Sequence, residues 1–130
     1  MSLEVGVRGR ADDVVSNSNT AAAACSGALT VYGTPYMIGL MEKAAWTSIA
    51  PHLAPGESTV GTKLNVVHVS ATPLGMKVWA ESEVTLVDGK RIELKVSAYD
   101  ERGLIGEGTH ERFIINDDRF LAKTARKLEG

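Results

Sequence analysis

One segment limits what this chain can fold into more than any other. From Tyr36 to about His52 the apolar residues Met37, Leu40, Met41, Ala44 and Ala45 recur at i, i+3 and i+4. That spacing describes a helix with one buried face. Thr34-Pro35 opens it, because Thr is a favoured N-cap and Pro fits the first helical turn. Pro51 and then Pro55-Gly56 close it. No other strong helical signal occurs in the interior of the chain. A lone amphipathic helix has to bury its stripe, and the rest of the sequence offers it a sheet.

After the helix the pattern changes to period two. Val60, Thr62, Leu64, Val66 and His68 are expected on one face of a strand, with Lys63 and Asn65 on the other. Thr72-Pro73-Leu74-Gly75 makes a turn, and Val78, Ala80, Val84 and Leu86 mark a second strand with Glu81 and Glu83 outward. Asp88-Gly89 is a strong short hairpin signal. Ile92, Leu94, Val96 and Ala98 then alternate with Glu93, Lys95 and Ser97. Asp100–Gly103 turns again, and Leu104–Ile115 forms the last strand, where Gly106 and Gly108 suggest a bulge or a close backbone approach. A weaker strand lies within Leu3–Val15. The tail from Phe120 to Lys127 is a short basic helix or disordered. The expected order is strand, loop, helix and a four-stranded antiparallel meander, an α+β architecture in which one helix covers a sheet of about five strands. One helix cannot shield such a sheet completely, so pairing with a second copy is expected.

Size and composition fit this plan. The 130 residues are enough for one domain, with 44% hydrophobic and 23% charged residues. We read residues 1–130 as a single domain and treat 1–3 and 129–130 as cloning residues. Fourteen basic against sixteen acidic residues leave a net charge of −2, which gives no electrostatic footprint for a nucleic-acid backbone. No apolar run reaches the roughly 18 residues a membrane span needs. The single Cys25 excludes an intrachain disulfide and a cysteine zinc cluster, and a cytoplasmic setting is expected. The stretch Ser16–Gly27, with four alanines flanked by turn residues, reads as an ordered loop containing one short helical turn. Loops of this length often cover a site.

Common catalytic signatures are absent: there is no nucleophile elbow, phosphate loop, dinucleotide fingerprint or His-Glu-x-x-His. What remains is a set of polar residues in apolar places. Glu42 lies at the edge of the helix's apolar stripe, and its neighbours Ile38, Gly39, Ala45 and Trp46 include no base to pair with it. A carboxylate there is either a surface rim residue or a partly desolvated group suited to base or nucleophile work. In the second case its ionised form needs help from His68 or an N–H donor. His68 points inward on its strand, as a core residue or as an acid–base group. Thr34 is an ordinary N-cap or stands where free helix N–H groups can hold an oxyanion. His110 and Arg112 share a face of the last strand with Gly106 and Gly108. His52 suits the helix C-terminus. Thr34 and Glu42 are eight residues apart, or about 12 Å along one helix, so a site using both needs a long ligand, a third residue or a second subunit.

The run Val31-Tyr32-Gly33-Thr34-Pro35-Tyr36-Met37-Ile38-Gly39-Leu40-Met41-Glu42-Lys43-Ala44-Ala45 resembles the central helix of the hotdog-fold thioesterases, in particular the fluoroacetyl-CoA thioesterase branch. Ser58–Thr62 running to His68, Val87–Lys90 and Ile105–Arg112 also fit, so the resemblance spans about Arg10 to Phe120. It implies a long helix wrapped by a curved antiparallel sheet, and a homodimer or dimer of dimers with sites at the subunit interface. It implies hydrolysis of an acyl-CoA thioester by Thr34, Glu42 and His68, with Gly61 and Arg112 as substrate contacts. No cofactor or metal is implied, because coenzyme A is part of the substrate. The alternatives are a non-catalytic hotdog protein that binds an acyl-CoA and a hotdog dehydratase, which would carry a His near the helix start. In the fluoroacetyl-CoA enzyme the loop before the helix carries aromatic residues. Thr20–Leu29 has none here, so the resemblance does not extend to fluoroacetate specificity.

Overall fold

A computed structural model describes residues 2–130. The elements in chain order are β1 (Arg8–Val14), α1 (Thr34–Ile49), β2 (Glu57–His68), β3 (Lys77–Asp88), β4 (Arg91–Asp100), β5 (Gly103–Asn116) and α2 (Asp117–Ala125). A 3₁₀ turn, Ala50–His52, follows α1 where Pro51 interrupts the α pattern. The strands form one antiparallel sheet in the order β1-β3-β4-β5-β2, and α1 lies across its inner face, chiefly against β1 and β3. This is the α+β layering expected from the sequence.

The helix buries the stripe that its spacing predicts. Met37, Leu40, Met41, Ala44 and Ala45 are buried, together with Ile49. They meet Val78, Ala80, Val84, Ile92, Leu94, Val96 and Ala98 from the two central strands. Each large aliphatic side chain in this layer contributes on the order of 1.5–3 kcal/mol by leaving water. β4 has paired neighbours on both sides, and its alternation is unbroken from Ile92 to Ala98.

Three features differ from the sequence-based expectation. The four strands after the helix are not a simple meander. Only β3, β4 and β5 follow one another in space, whereas β2 pairs with β5 and the β2–β3 connection crosses the sheet. The turn at Thr72–Gly75 is present in that connection, where Val31 bridges Pro73, but it does not join neighbouring strands. Second, β2 carries a bulge between Gly61 and Lys63 that leaves Thr62 unpaired, so the strand changes face. Thr59 and Gly61 point inward before the bulge, and Leu64, Val66 and His68 after it. Val60 and Thr62 therefore do not share the face of His68, and the Thr62 hydroxyl donates instead to Glu111 on the outer surface at 2.7 Å. Third, a bulge between Val84 and Leu86 in β3 turns Leu86 outward and brings Val87 against the core.

The remaining elements follow local chemistry. Gly89 and Lys90 form the two-residue loop that joins β3 to β4. Gly106 allows a close approach, since a Cβ there would lie 2.6 Å from the Met37 sulfur. The segment before α1 is ordered and contains a helical turn in which the Ala24 and Ser26 amides donate to the Thr20 and Ala21 carbonyls. Asn19 anchors it, accepting from the Ser16 amide and donating to the Val14 carbonyl. The tail is helical from Asp117, capped by the Asn116 side chain. Leu3, set aside as a terminal residue, is half-buried against the core.

Candidate active site

The residues singled out from the sequence gather into two groups along α1. The first lies at the helix start. Gly33 is the N-cap, so Thr34 is the first helical residue and makes no capping hydrogen bond. Its hydroxyl is therefore free to meet His68, with Oγ1 and Nδ1 2.7 Å apart. His68 reaches this position because the bulge at Thr62 sets the phase of the second half of β2. Its ring is half-buried, and its Nε2 has no hydrogen-bond partner among the described residues. Burial pushes the His68 pKa below its ordinary value, partly offset by the Ser70 backbone, so the imidazole is neutral at pH 7. An open cavity of about 320 Å³ lies against this pair, lined also by Ala21, Ser26, Val31 and Tyr32 from the preceding loop.

The second group surrounds Glu42, two helical turns further on. Its carboxylate accepts from the Arg112 guanidinium, Nη1 to Oε2, at 3.4 Å. Arg112 is the N–H donor that the carboxylate needs, and no hydrogen bond joins Glu42 to His68. The Arg112 side chain is 7% exposed against 37% for Glu42, so the pair lies at the boundary between core and solvent. The guanidinium is fixed on its other sides: Nε donates to the Thr59 hydroxyl at 2.8 Å and Nη2 to the Thr59 carbonyl at 2.9 Å. Nη1 also lies 3.1 Å from Nε2 of His110, whose Nδ1 is 2.9 Å from the Lys63 carbonyl. Burial lowers the pKa of His110 and the Arg112 charge lowers it further, against the opposing effects of the Lys63 carbonyl and of Glu42. Burial lowers the Arg112 pKa as well, against the opposing effect of Glu42. Gly61 completes the group, because a Cβ there would lie 2.8 Å from Glu42 Oε2 and 3.2 Å from Arg112 Nη1. The bare Cα leaves room for the carboxylate.

All five residues named from the sequence therefore border one side of α1, Thr34 with His68 and Glu42 with Gly61 and Arg112. Sequence reasoning underrated His110 and overlooked Thr59. The available signal was the two-residue spacing of His110 and Arg112 on a strand face that already carries two glycines, since a face without bulk leaves space for an inward polar group. His52 and Cys25 take no part in either group, and Cys25 is exposed. A larger cavity of about 430 Å³ lies on the outer face of the sheet, among Arg8, Arg10, Glu81, Glu83, Lys95 and Glu107. It shares no residue with either group. Among the described residues no three His, Cys, Asp or Glu side chains cluster as metal ligands would, and no helix is long and apolar enough to cross a membrane.

Comparison with known proteins converges on one family. The family model described as fluoroacetyl-CoA-specific thioesterase matches residues 15–118. The fluoroacetyl-CoA thioesterase of Streptantibioticus cattleyicolor is 44% identical over 97 residues, which cover 75% of this chain and 70% of that protein. A solved structure of the fluoroacetyl-CoA thioesterase FlK superposes with a TM-score of 0.92 at 38% identity, covering 98% of each chain. A point variant of FlK solved with fluoroacetate and CoA gives 0.85 at 39% identity, covering 91% of this chain and 99% of the other. With a hotdog fold from end to end and a family match over most of its length, this chain belongs to the fluoroacetyl-CoA-specific thioesterase family.

Proposed function

We propose that this protein hydrolyses acyl-CoA thioesters to the free acid and CoA, using Thr34, Glu42 and His68. The observation that carries this reading is the 2.7 Å contact between the Thr34 hydroxyl and His68 at the start of α1, beside an open cavity. A threonine released from capping and held by a neutral imidazole does nothing for the helix. It does suit a thioester, whose carbonyl needs a donor as the tetrahedral oxyanion forms. Glu42 supplies the negative charge, as general base toward water or as nucleophile at the carbonyl carbon. Arg112 donates to it and holds it in place, and Gly61 leaves the space in which the carboxylate and the substrate chain lie.

Thr34 and Glu42 stand about 12 Å apart along one helix, so within a single chain they cannot both reach one thioester carbonyl. A second copy of the chain is proposed to close the distance across a dimer interface. β2 is an edge strand with its outer side unpaired, and Val67 on it, Val69 just after it and Trp46 on α1 are exposed. No cofactor or metal is assigned, and the protein is proposed to work in the cytoplasm. The loop facing the Thr34–His68 pair presents Ala21 and Ser26, so fluoroacetyl-CoA is not assigned as the substrate. A panel of acyl-CoAs assayed by free-thiol release tests the reading directly. Turnover that disappears in Glu42→Gln while the protein stays folded supports it. Stoichiometric acyl-CoA binding with no thiol release from any member would replace it with a binding role. Light scattering at micromolar concentration tests the dimer, and a monomer mass would remove it.

A further inference from the structure

The hydrogen bonds around His110 leave it one tautomer. Nδ1 lies 2.9 Å from the Lys63 carbonyl, which can only accept, so Nδ1 carries the proton. A neutral ring then has a bare Nε2, and Arg112 Nη1, which can only donate, lies 3.1 Å from it. His110 is fully buried, and burial together with the Arg112 charge outweighs the opposing effects of the Lys63 carbonyl and Glu42 and keeps it neutral. The same Nη1 also donates to Glu42. Thr59 takes the Nε and Nη2 sides of the guanidinium, so His110 is the one side chain that holds Nη1 from the side away from Glu42.

We propose that His110 is a positioning residue for hydrolysis: its Nδ1–H tautomer, locked by the Lys63 carbonyl, holds the Arg112 guanidinium where it orients the Glu42 carboxylate. This rests on the hydrolase reading above. Without the acceptor at Nε2, Nη1 has only Glu42 to bind, and the guanidinium can rotate about its Thr59 contacts toward the carboxylate. Displacing a reacting group by about an ångström costs as much as about 10²-fold in rate.

Two substitutions separate the two bonds of the ring. His110→Asn keeps a donor near the Nδ1 position for the Lys63 carbonyl and removes the acceptor for Arg112. His110→Gln places a carbonyl oxygen near the Nε2 position and keeps that acceptor. On the best acyl-CoA of the panel, His110→Asn is expected to lower kcat by about 10²-fold with little change in KM. His110→Gln is expected to recover most of that loss. In an Arg112→Met background, His110→Asn is expected to cost nothing more, because the group it acts through is gone. Equal losses in the Asn and Gln variants, or a loss that persists in Arg112→Met, would overturn the proposal. A second measurement does not depend on turnover. Nitrogen NMR of the wild-type ring is expected to show a proton on Nδ1 and none on Nε2 at pH 7, and an Nε2–H signal sinks the proposal. If no acyl-CoA is hydrolysed, the hydrolase reading fails by itself. A crystal structure of His110→Asn then decides the positioning claim: an Arg112 shifted relative to Glu42 upholds it, and an unmoved one overturns it.

Discussion

The two ends of the α1 site are built on opposite principles. At the helix start, Thr34 and His68 form a single contact beside a cavity, and Thr34 is exposed and caps nothing. Two turns on, Glu42 belongs to a network with Arg112, His110 and Thr59 in which nearly every donor has an acceptor. The first is an unsaturated site, inexpensive for the fold to lose, with a hydrogen-bonding nitrogen left unused at His68 Nε2. The second is a saturated one, where removing a member strands its partners. Under the proposed hydrolysis the first end serves chemistry alone and the second serves chemistry and fold together, and substitutions at the two ends should divide accordingly.

The largest effect on rate is expected at Glu42. Glu42→Gln keeps the size and the acceptor toward Arg112 but removes the charge, so kcat should fall by about 10²–10⁴-fold with a melting temperature near that of wild type. Unchanged turnover would take Glu42 out of the mechanism. Thr34→Ala comes next on rate and should be nearly silent in thermal unfolding, because the helix loses no cap. A drop of several degrees would mean that the hydroxyl serves the fold after all. His68→Ala should behave in the same direction, with a modest cavity cost added.

Arg112→Met should show the opposite balance. It leaves the Thr59 carbonyl and His110 Nε2 without their donor, and a buried group so stranded costs about 1–3 kcal/mol. A clear loss of stability in denaturant titration is expected along with a lowered but measurable kcat. A variant as stable as wild type would mean that the network is not a structural element.

The smallest effect is one of pH. His110 has a folded pKa lowered below its unfolded value near 6.5, so its contribution to stability is fully present above about pH 6.5. As pH falls below that value the unfolded chain takes up a proton that the folded ring refuses, and stability is lost down to the folded pKa. His68 acts with the same sign. Melting temperatures measured from pH 8 to pH 5 should fall below about 6.5, and less steeply in His110→Gln. The same slope in both proteins would show that His110 is not a buried neutral ring.

Gly61 marks the point where fold and site meet most closely. A methyl group there meets the free end of the Glu42 side chain at 2.8 Å, which can swing away. It also lies 3.2 Å from Arg112 Nη1 and His110 Cε1, which must give by a few tenths of an ångström. Gly61→Ala should therefore lower kcat while leaving the protein folded, and this outcome would place Gly61 with Thr34 as a residue kept for chemistry.

What could be read from the sequence was whatever neighbouring residues settle among themselves. The helix from Thr34, its buried stripe, the alternation from Ile92 to Ala98 and the hairpin after Asp88 depend on covalent geometry and side-chain period, both present in any short window. The spacing of Thr34 and Glu42 along one helix belongs to the same class, as does the face that Leu64, Val66 and His68 share. Tertiary structure alone decided that β2 pairs with β5, because a strand chooses its neighbour by where the chain can close the core. It also decided the two bulges, since an unpaired Thr62 or Thr85 is defined only against the partner strand, and each reverses the face of all that follows. The contact of Arg112 with Glu42 joins positions 70 residues apart and depends on both pairing and phase. Periodicity shows which residues turn inward, but the polar partner each one meets is set by long-range register, which no local pattern contains.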